Sequence, residues 1–181
     1  MPKGRCEKVG IMAGPSTAIA NEFLRRAMRD RRPLTQMQLQ KLVYIAHGWN
    51  LAINLRPLTT DDPQAWDYGP VYPDLWEAVR GYGGQPVGRM IKNSDNFANF
   101  FADDADQEAR AEITAQETDL IDRVYEIYGQ YHAFKLSAMT HEPGTPWYQV
   151  FVDNQNPKGL IHNNIIGAHF IALGQQRQPA A

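Results

Sequence analysis

Residues 34–54 read LTQMQLQKLVYIAHGWNLAIN, and this stretch decides the fold. Thr35 and Gln38 form a T-x-x-Q capping box, in which each side chain satisfies an orphan backbone N–H at a helix start. Leu34, just before the cap, is placed to staple onto Leu39. Leu39, Leu42, Val43, Ala46, Trp49 and Ile53 recur at helical spacing and predict a buried stripe, with Tyr44, Ile45 and Leu51 broadening it. Few polar residues interrupt the segment, so it reads as the central helix. Pro57 ends it.

Upstream, Ser16 or Thr17 opens a helix to about Asp30, with Ile19, Phe23, Leu24 and Met28 on one face. Arg25, Arg26, Arg29, Arg31 and Arg32 crowd its C-terminal end, where cations complement the helix dipole. Residues 1–15, punctuated by Gly4, Gly10, Gly14 and Pro15, read as a flexible head.

Downstream, 56–72 (RPLTTDDPQAWDYGPVY) reads as an ordered but irregular connector. Pro73–Tyr82 is a second helix with proline in its first turn and glycines beyond its end. In 85–113, Val87–Ile91 and Arg110–Ile113 are candidate strands flanking an acidic loop. Thr114 and Glu117 form another capping box. The helix from Ala115 to about Gln130 turns Leu120, Ile121, Val124, Ile127 and Tyr128 inward. A shorter helix covers Ala133–His141, carrying Phe134, Leu136 and Met139. HEPGTPWYQVFVD is a turn entering a short aromatic helix, and Asn163–Leu173 is the last helix. Residues 174–181 read as a flexible tail. The expected fold is a mainly α, single-domain bundle of about six to seven helices, with room for a short β-hairpin between 86 and 114.

The chain has 181 residues and a net charge of −2. Residues 1–32 carry a balance of +5 and residues 33–181 one of −7, which suits protein contacts better than DNA wrapping. A DNA-binding regulator using the arginine-rich helix end is the alternative. Cys6 is the lone cysteine, which excludes an internal disulfide and points to a reducing compartment. No stretch approaches the roughly 18 apolar residues of a membrane span, and the head lacks a signal-peptide core. The expected location is the cytoplasm.

Chemistry is hard to find. His47, His132, His141, His162 and His169 show no metal-ligand spacing, and surface or hydrogen-bonded core histidines are expected. There is no G-x-S-x-G elbow, phosphate loop or calcium loop. Asp61–Asp62 and Asp103–Asp106 read as solvated loops. The expectation is no catalytic residue, no metal, no cofactor and no enzymatic activity.

Three blocks together resemble one family. They are Leu34–Leu55, Ala65–Tyr72 (AWDYGPVY) and Leu136–Trp147 (LSAMTHEPGTPW). They are similar, in order and spacing, to the L-T-x-x-x-L-Q-K-L-x-Y-x-A-x-G-W, W-x-Y-G-P-V and L-S-x-x-T-H…P-W blocks of the Panacea-domain (SocA-like) antitoxins. The resemblance spans about 16–173; the head and the acidic stretch 93–110 have no counterpart in the pattern. It implies a compact helical domain that neutralises a cognate protein toxin by direct contact. Neutralisation would cover the toxin or, as an adaptor, present it to an ATP-dependent protease.

On the residues themselves, Thr35, Gln40, Lys41, Tyr44, Trp49, Gly69, Pro70, Thr140, His141 and Pro146 read as motif positions, open between scaffold and contact groove. Gly69 is expected to need a backbone geometry that a Cβ opposes. Trp66, Tyr68, Tyr72, Trp147 and Tyr148 are the candidate aromatic partner contacts. Arg25, Arg29 and Arg32, with the acidic loop, are candidates for setting specificity by charge.

Overall fold

The computed structural model describes residues 13–176. Helix α1 (Ser16–Arg29) leads by a short turn into α2 (Gln36–Asn54). Strands β1 (Gln64–Trp66) and β2 (Gly69–Val71) follow, then α3 (Pro73–Val79). After a long irregular excursion come α4 (Ala115–Tyr128), α5 (Ala133–Thr140), α6 (Pro146–Tyr148) and α7 (Asn163–Gln176). The chain is mainly α, with seven α-helices among the described residues and one small antiparallel hairpin.

The hairpin stands at 64–71, earlier than expected. Between 87 and 113 the ladder shrinks to one bridge, Lys92 with Glu108, and Val87 N–H donates to Leu34 O instead. A single buried side chain reinforces the short pairing that remains, in which Ala109 N–H donates to Ile91 O and Asn93 N–H to Gln107 O. Asn21 of α1 donates to Ile91 O and Ala109 O, both at 2.8 Å, and accepts from Ile91 N–H at 2.8 Å. It thereby holds both legs of the 92–108 excursion against the bundle.

Both capping boxes form. Thr35 receives Gln38 N–H while Gln38 receives Thr35 N–H, and Thr114 and Glu117 do the same. Helix α2 is the central element, packed against α1, α3, α4, α5, α7 and β2. It is buried nearly all round from Leu39 to Gly48. A helix surrounded in this way has no single apolar stripe. Ile53, expected inside, is accordingly 63% exposed beyond the last packed turn, and Ile127 of α4 is 46% exposed. Phe134 of α5 is exposed as well. Gly48 lets α7 close on α2, because a Cβ there would lie 2.2 Å from the Phe170 ring. Phe170 meets Trp49 edge-on at 5.2 Å.

The segments expected to be a flexible head and tail fall only partly within the described residues. Gly14 is held in a bridge with Thr59, accepting from Thr60 N–H at 2.9 Å. Residues 1–12, with Cys6, lie outside the described residues, as do 177–181. Helix α7 continues through Gly174 to Gln176, where a tail was expected. No helix among the described residues is long and apolar enough to cross a membrane.

Asn21→Ala would strand two buried backbone groups at once, Ala109 O and Ile91 N–H, since Ile91 O keeps the Ala109 N–H. The expected loss is about 2–4 kcal/mol of unfolding free energy in urea titration, with faster proteolysis inside 92–108. A loss under about 0.5 kcal/mol would show that the excursion holds itself.

Candidate functional site

The connector expected to be irregular carries the short β1–β2 hairpin, and many of its remaining backbone polar groups are paired by side chains from elsewhere. Strands β1 and β2 align Gln64 with Val71, Ala65 with Pro70 and Trp66 with Gly69. The turn between them is Asp67–Tyr68. Gly69 has φ +101°, and a Cβ there would meet Thr140 Oγ1 at 2.5 Å and Lys41 Cε at 2.8 Å. The requirement for glycine is therefore both conformational and steric.

Around this turn the carbonyls meet side-chain donors one by one. Trp147 Nε1–H donates to Trp66 O at 2.7 Å. His141 Nε2 lies 3.1 Å from Asp67 O, and its Nδ1 lies 2.6 Å from Ser137 O. Ser137 Oγ–H donates to Tyr68 O at 2.9 Å, and Lys41 Nζ donates to Pro70 O at 3.0 Å. Gln40 clamps Tyr72, receiving its N–H at 2.8 Å and donating to its carbonyl at 3.2 Å. Thr145 Oγ1–H closes the second turn on Thr140 O at 2.7 Å, and Pro146 starts α6. The three sequence blocks are thus one hydrogen-bonded unit.

A groove of about 450 Å³ lies against this unit. Trp66, Asp67, Tyr68 and Val71 form the hairpin side, and Gln36, Met37, Gln40 and Lys41 the α2 side. Trp76, Phe151, Pro157 and Lys158 complete it. Trp66 and Trp76 sit 5.4 Å apart, with Lys158 Nζ 5.2 Å from the Trp66 ring centroid and Arg80 5.6 Å from that of Trp76. Strand β1 is held on its other edge by the Lys158–Ile161 stretch, through Ala65 N–H to Gly159 O at 2.9 Å.

Of the expected partner contacts, Trp66 and Tyr68 face this groove, and Tyr68 is 63% exposed. Tyr72 does not: it is fully buried beneath the Gln40 clamp and meets His47 edge-on. Trp147 is also buried, its indole N–H committed to Trp66 O. It stacks on Phe151, which takes the groove position instead, at 4.7 Å between ring centroids. Tyr148 is half-buried and outside the groove. Arg25 pairs with Glu22 and Glu108, Arg29 with Asp30, and Arg32 lies over Tyr125, so the arginine cluster is spent on local partners away from the groove. Trp76 and Lys158 were missed. Helical spacing alone puts Trp76 on a helix face, and Lys158 is brought in by a contact 93 residues from Ala65.

His47 is buried and hydrogen-bonded. Its Nδ1 receives Thr59 N–H at 3.2 Å, so the proton sits on Nε2, which donates to Asn163 Oδ1 at 2.7 Å. Burial lowers its pKa despite the Asn163 bond. His141 faces two backbone carbonyls, and the Ser137 hydroxyl is turned to Tyr68 O, so the two do not form a nucleophile–base pair. Among the described residues no three His, Cys, Asp or Glu side chains are grouped to hold a metal.

The model of the family described as "Antitoxin SocA-like, Panacea domain" matches residues 39–148. The chain belongs to this family. The matched span holds every donor and acceptor of the Gln40–Trp147 unit, while Phe151, Pro157 and Lys158 of the groove lie beyond it. Antitoxin SocA of Caulobacter vibrioides (strain NA1000 / CB15N) is 31% identical over 133 residues, 72% of this chain and 66% of that protein. The chain thus spans just under two thirds of that relative's length. No solved structure matches it.

Lys41 gives this Panacea domain a pH signature. Burial pushes its amine from 10.5 down to about 7. Between those values the unfolded chain holds a proton that the folded chain has released, so stability rises with pH. The contribution is complete above 10.5 and is lost as pH falls through about 7. Urea midpoints should climb from pH 7 to about pH 9.5 in the native chain, and Lys41→Met should flatten that climb. Equal slopes in the two proteins would place the titration elsewhere.

Proposed function

We propose that the chain is a non-enzymatic antitoxin that neutralises a protein toxin by covering its surface, with the aromatic groove as the grip. The groove carries this reading: Trp66, Tyr68, Trp76 and Met37 stand at a concave surface backed by a hydrogen-bonded frame. Tyrosine and tryptophan dominate protein interfaces because they bury large area with few rotors to freeze. Two cations lean on the tryptophan faces, which presents charge and apolar area together. Family membership supports the antitoxin role, and the name of the Caulobacter relative agrees with it. The paired state of Arg25 and Arg29 weakens the DNA-binding alternative, since ion-paired guanidinium groups offer phosphates little net charge.

Co-expression with the product of the adjoining gene, followed by pull-down at physiological salt, tests the proposal. A stable complex is expected, with growth restored in cells carrying that product. Tyr68→Ala removes an exposed side chain and should weaken the complex by about tenfold or more, with Tm unchanged. Complex formation indifferent to Tyr68 would move the grip elsewhere, and no complex at all would end the proposal. Toxin half-life separates simple covering from delivery to an ATP-dependent protease. A half-life unaltered by this chain means covering alone.

A further inference from the structure

Residues 93–106 form a second surface, distant in character from the groove. The stretch contains four aspartates and no lysine or arginine. It also carries Phe97, Phe100 and Phe101, which are 80%, 54% and 89% exposed. These rings are not exposed for want of structure around them. Asn93 N–H donates to Gln107 O at 2.9 Å and Ser94 N–H to Ala105 O at 2.8 Å. Asn93 Nδ2–H donates to Asp104 Oδ2 at 2.9 Å, and Asn96 caps the single turn Phe97–Asn99. Phe100 and Phe101 meet edge-on at 5.1 Å. Below them, Asn21 fixes both legs to α1. The tip is a built element that presents phenyl rings outward.

Its charge is sorted by height. At the base, Arg89 pairs with Asp95, and Arg25 and Arg110 pair with Glu108. Towards the tip, Asp103, Asp104 and Asp106 are exposed, with only Lys92 reaching Asp106, at 3.5 Å. Three apolar rings set beside exposed carboxylates, of which Asp106 alone meets a lysine, complement an apolar cleft with a cationic rim.

We propose that 93–106 is a docking tongue whose occupant is an apolar, basic-rimmed cleft on the partner protein. The proposal rests on the antitoxin reading for the existence of that partner, and it assigns the partner's chemistry. The rings supply the buried contact and the carboxylates supply steering, so the two contributions separate in kinetics. Ring removal acts on dissociation, and charge removal acts on association and its salt dependence.

The test uses the full chain and the purified product of the adjoining gene. Phe97→Ser, Phe100→Ser and Phe101→Ser together should weaken binding by at least about tenfold, chiefly through faster dissociation, with Tm unchanged. Asp103→Asn with Asp106→Asn should slow association and flatten its dependence on salt. Asp104 is left in place because it holds Asn93. A native complex untouched by both variants overturns the tongue and leaves the groove reading standing. A native chain that forms no complex overturns both. A native chain that self-associates until the three rings are removed assigns the surface to a second copy, and that also overturns the proposal.

Discussion

The connector between α2 and α3 pairs its backbone only through two three-residue strands and short contacts with Gly14 and residues 158–161, and side chains from the helices supply partners for much of the rest. Buried peptide groups left without hydrogen bonds cost about 1–3 kcal/mol each. Across residues 58–72 the chain meets much of that demand with side chains. His47 takes the Leu58 and Thr59 N–H groups, Lys41 and Gln40 serve Pro70 and Tyr72, and Ser137, His141 and Trp147 serve the turn. Asn50 adds Arg56 O at 2.9 Å. This explains why a helix buried on nearly every side carries Gln40, Lys41, His47 and Asn50 at its centre. Each would be a liability in an apolar core and is an asset beside a loop.

The same demand gives the groove its stiffness. An interface aromatic is effective when its position is set before the partner arrives, because ordering it later subtracts from affinity. Trp66 is fixed by strand pairing on one side, by the bonds of neighbouring Ala65 to Lys158 and Gly159 on the other, and by Trp147 at its carbonyl. Tyr68 has its carbonyl held by Ser137 while its ring stays in solvent. Rigid backbone with a free side chain is the arrangement that binding favours.

The helices were legible from sequence because their signals are local. Both capping boxes lie within four residues, and each forms as read. The hairpin was not legible: its strands are three residues long, one contains Pro70, and its stability comes from α2, α5 and α6 rather than from its own ladder. Tyr72 and Trp147 read from sequence as candidate contacts because aromatic type alone does not separate a contact from a core ring. Their burial is decided by Gln40, 32 residues from Tyr72, and by Trp66, 81 residues from Trp147. Asn21 gave no sign at all, since one asparagine in a helix has no pattern until its distant acceptors are known.

The three blocks that carry the family resemblance are therefore spent mostly inward. Gln40, Lys41, Gly69, Pro70, Thr140, His141 and Trp147 bond or pack against one another, leaving few atoms free to read a partner. Under the proposed antitoxin reading, a shared frame of this kind fixes where a surface stands and leaves open what that surface reads. The side chains that do face outward either come from other segments, as Trp76, Phe151 and Lys158 do, or ride on the frame, as Tyr68 does. On that reading, partner choice rests on residues whose substitution leaves the hydrogen-bonded unit intact, so that contacts change without refolding the domain.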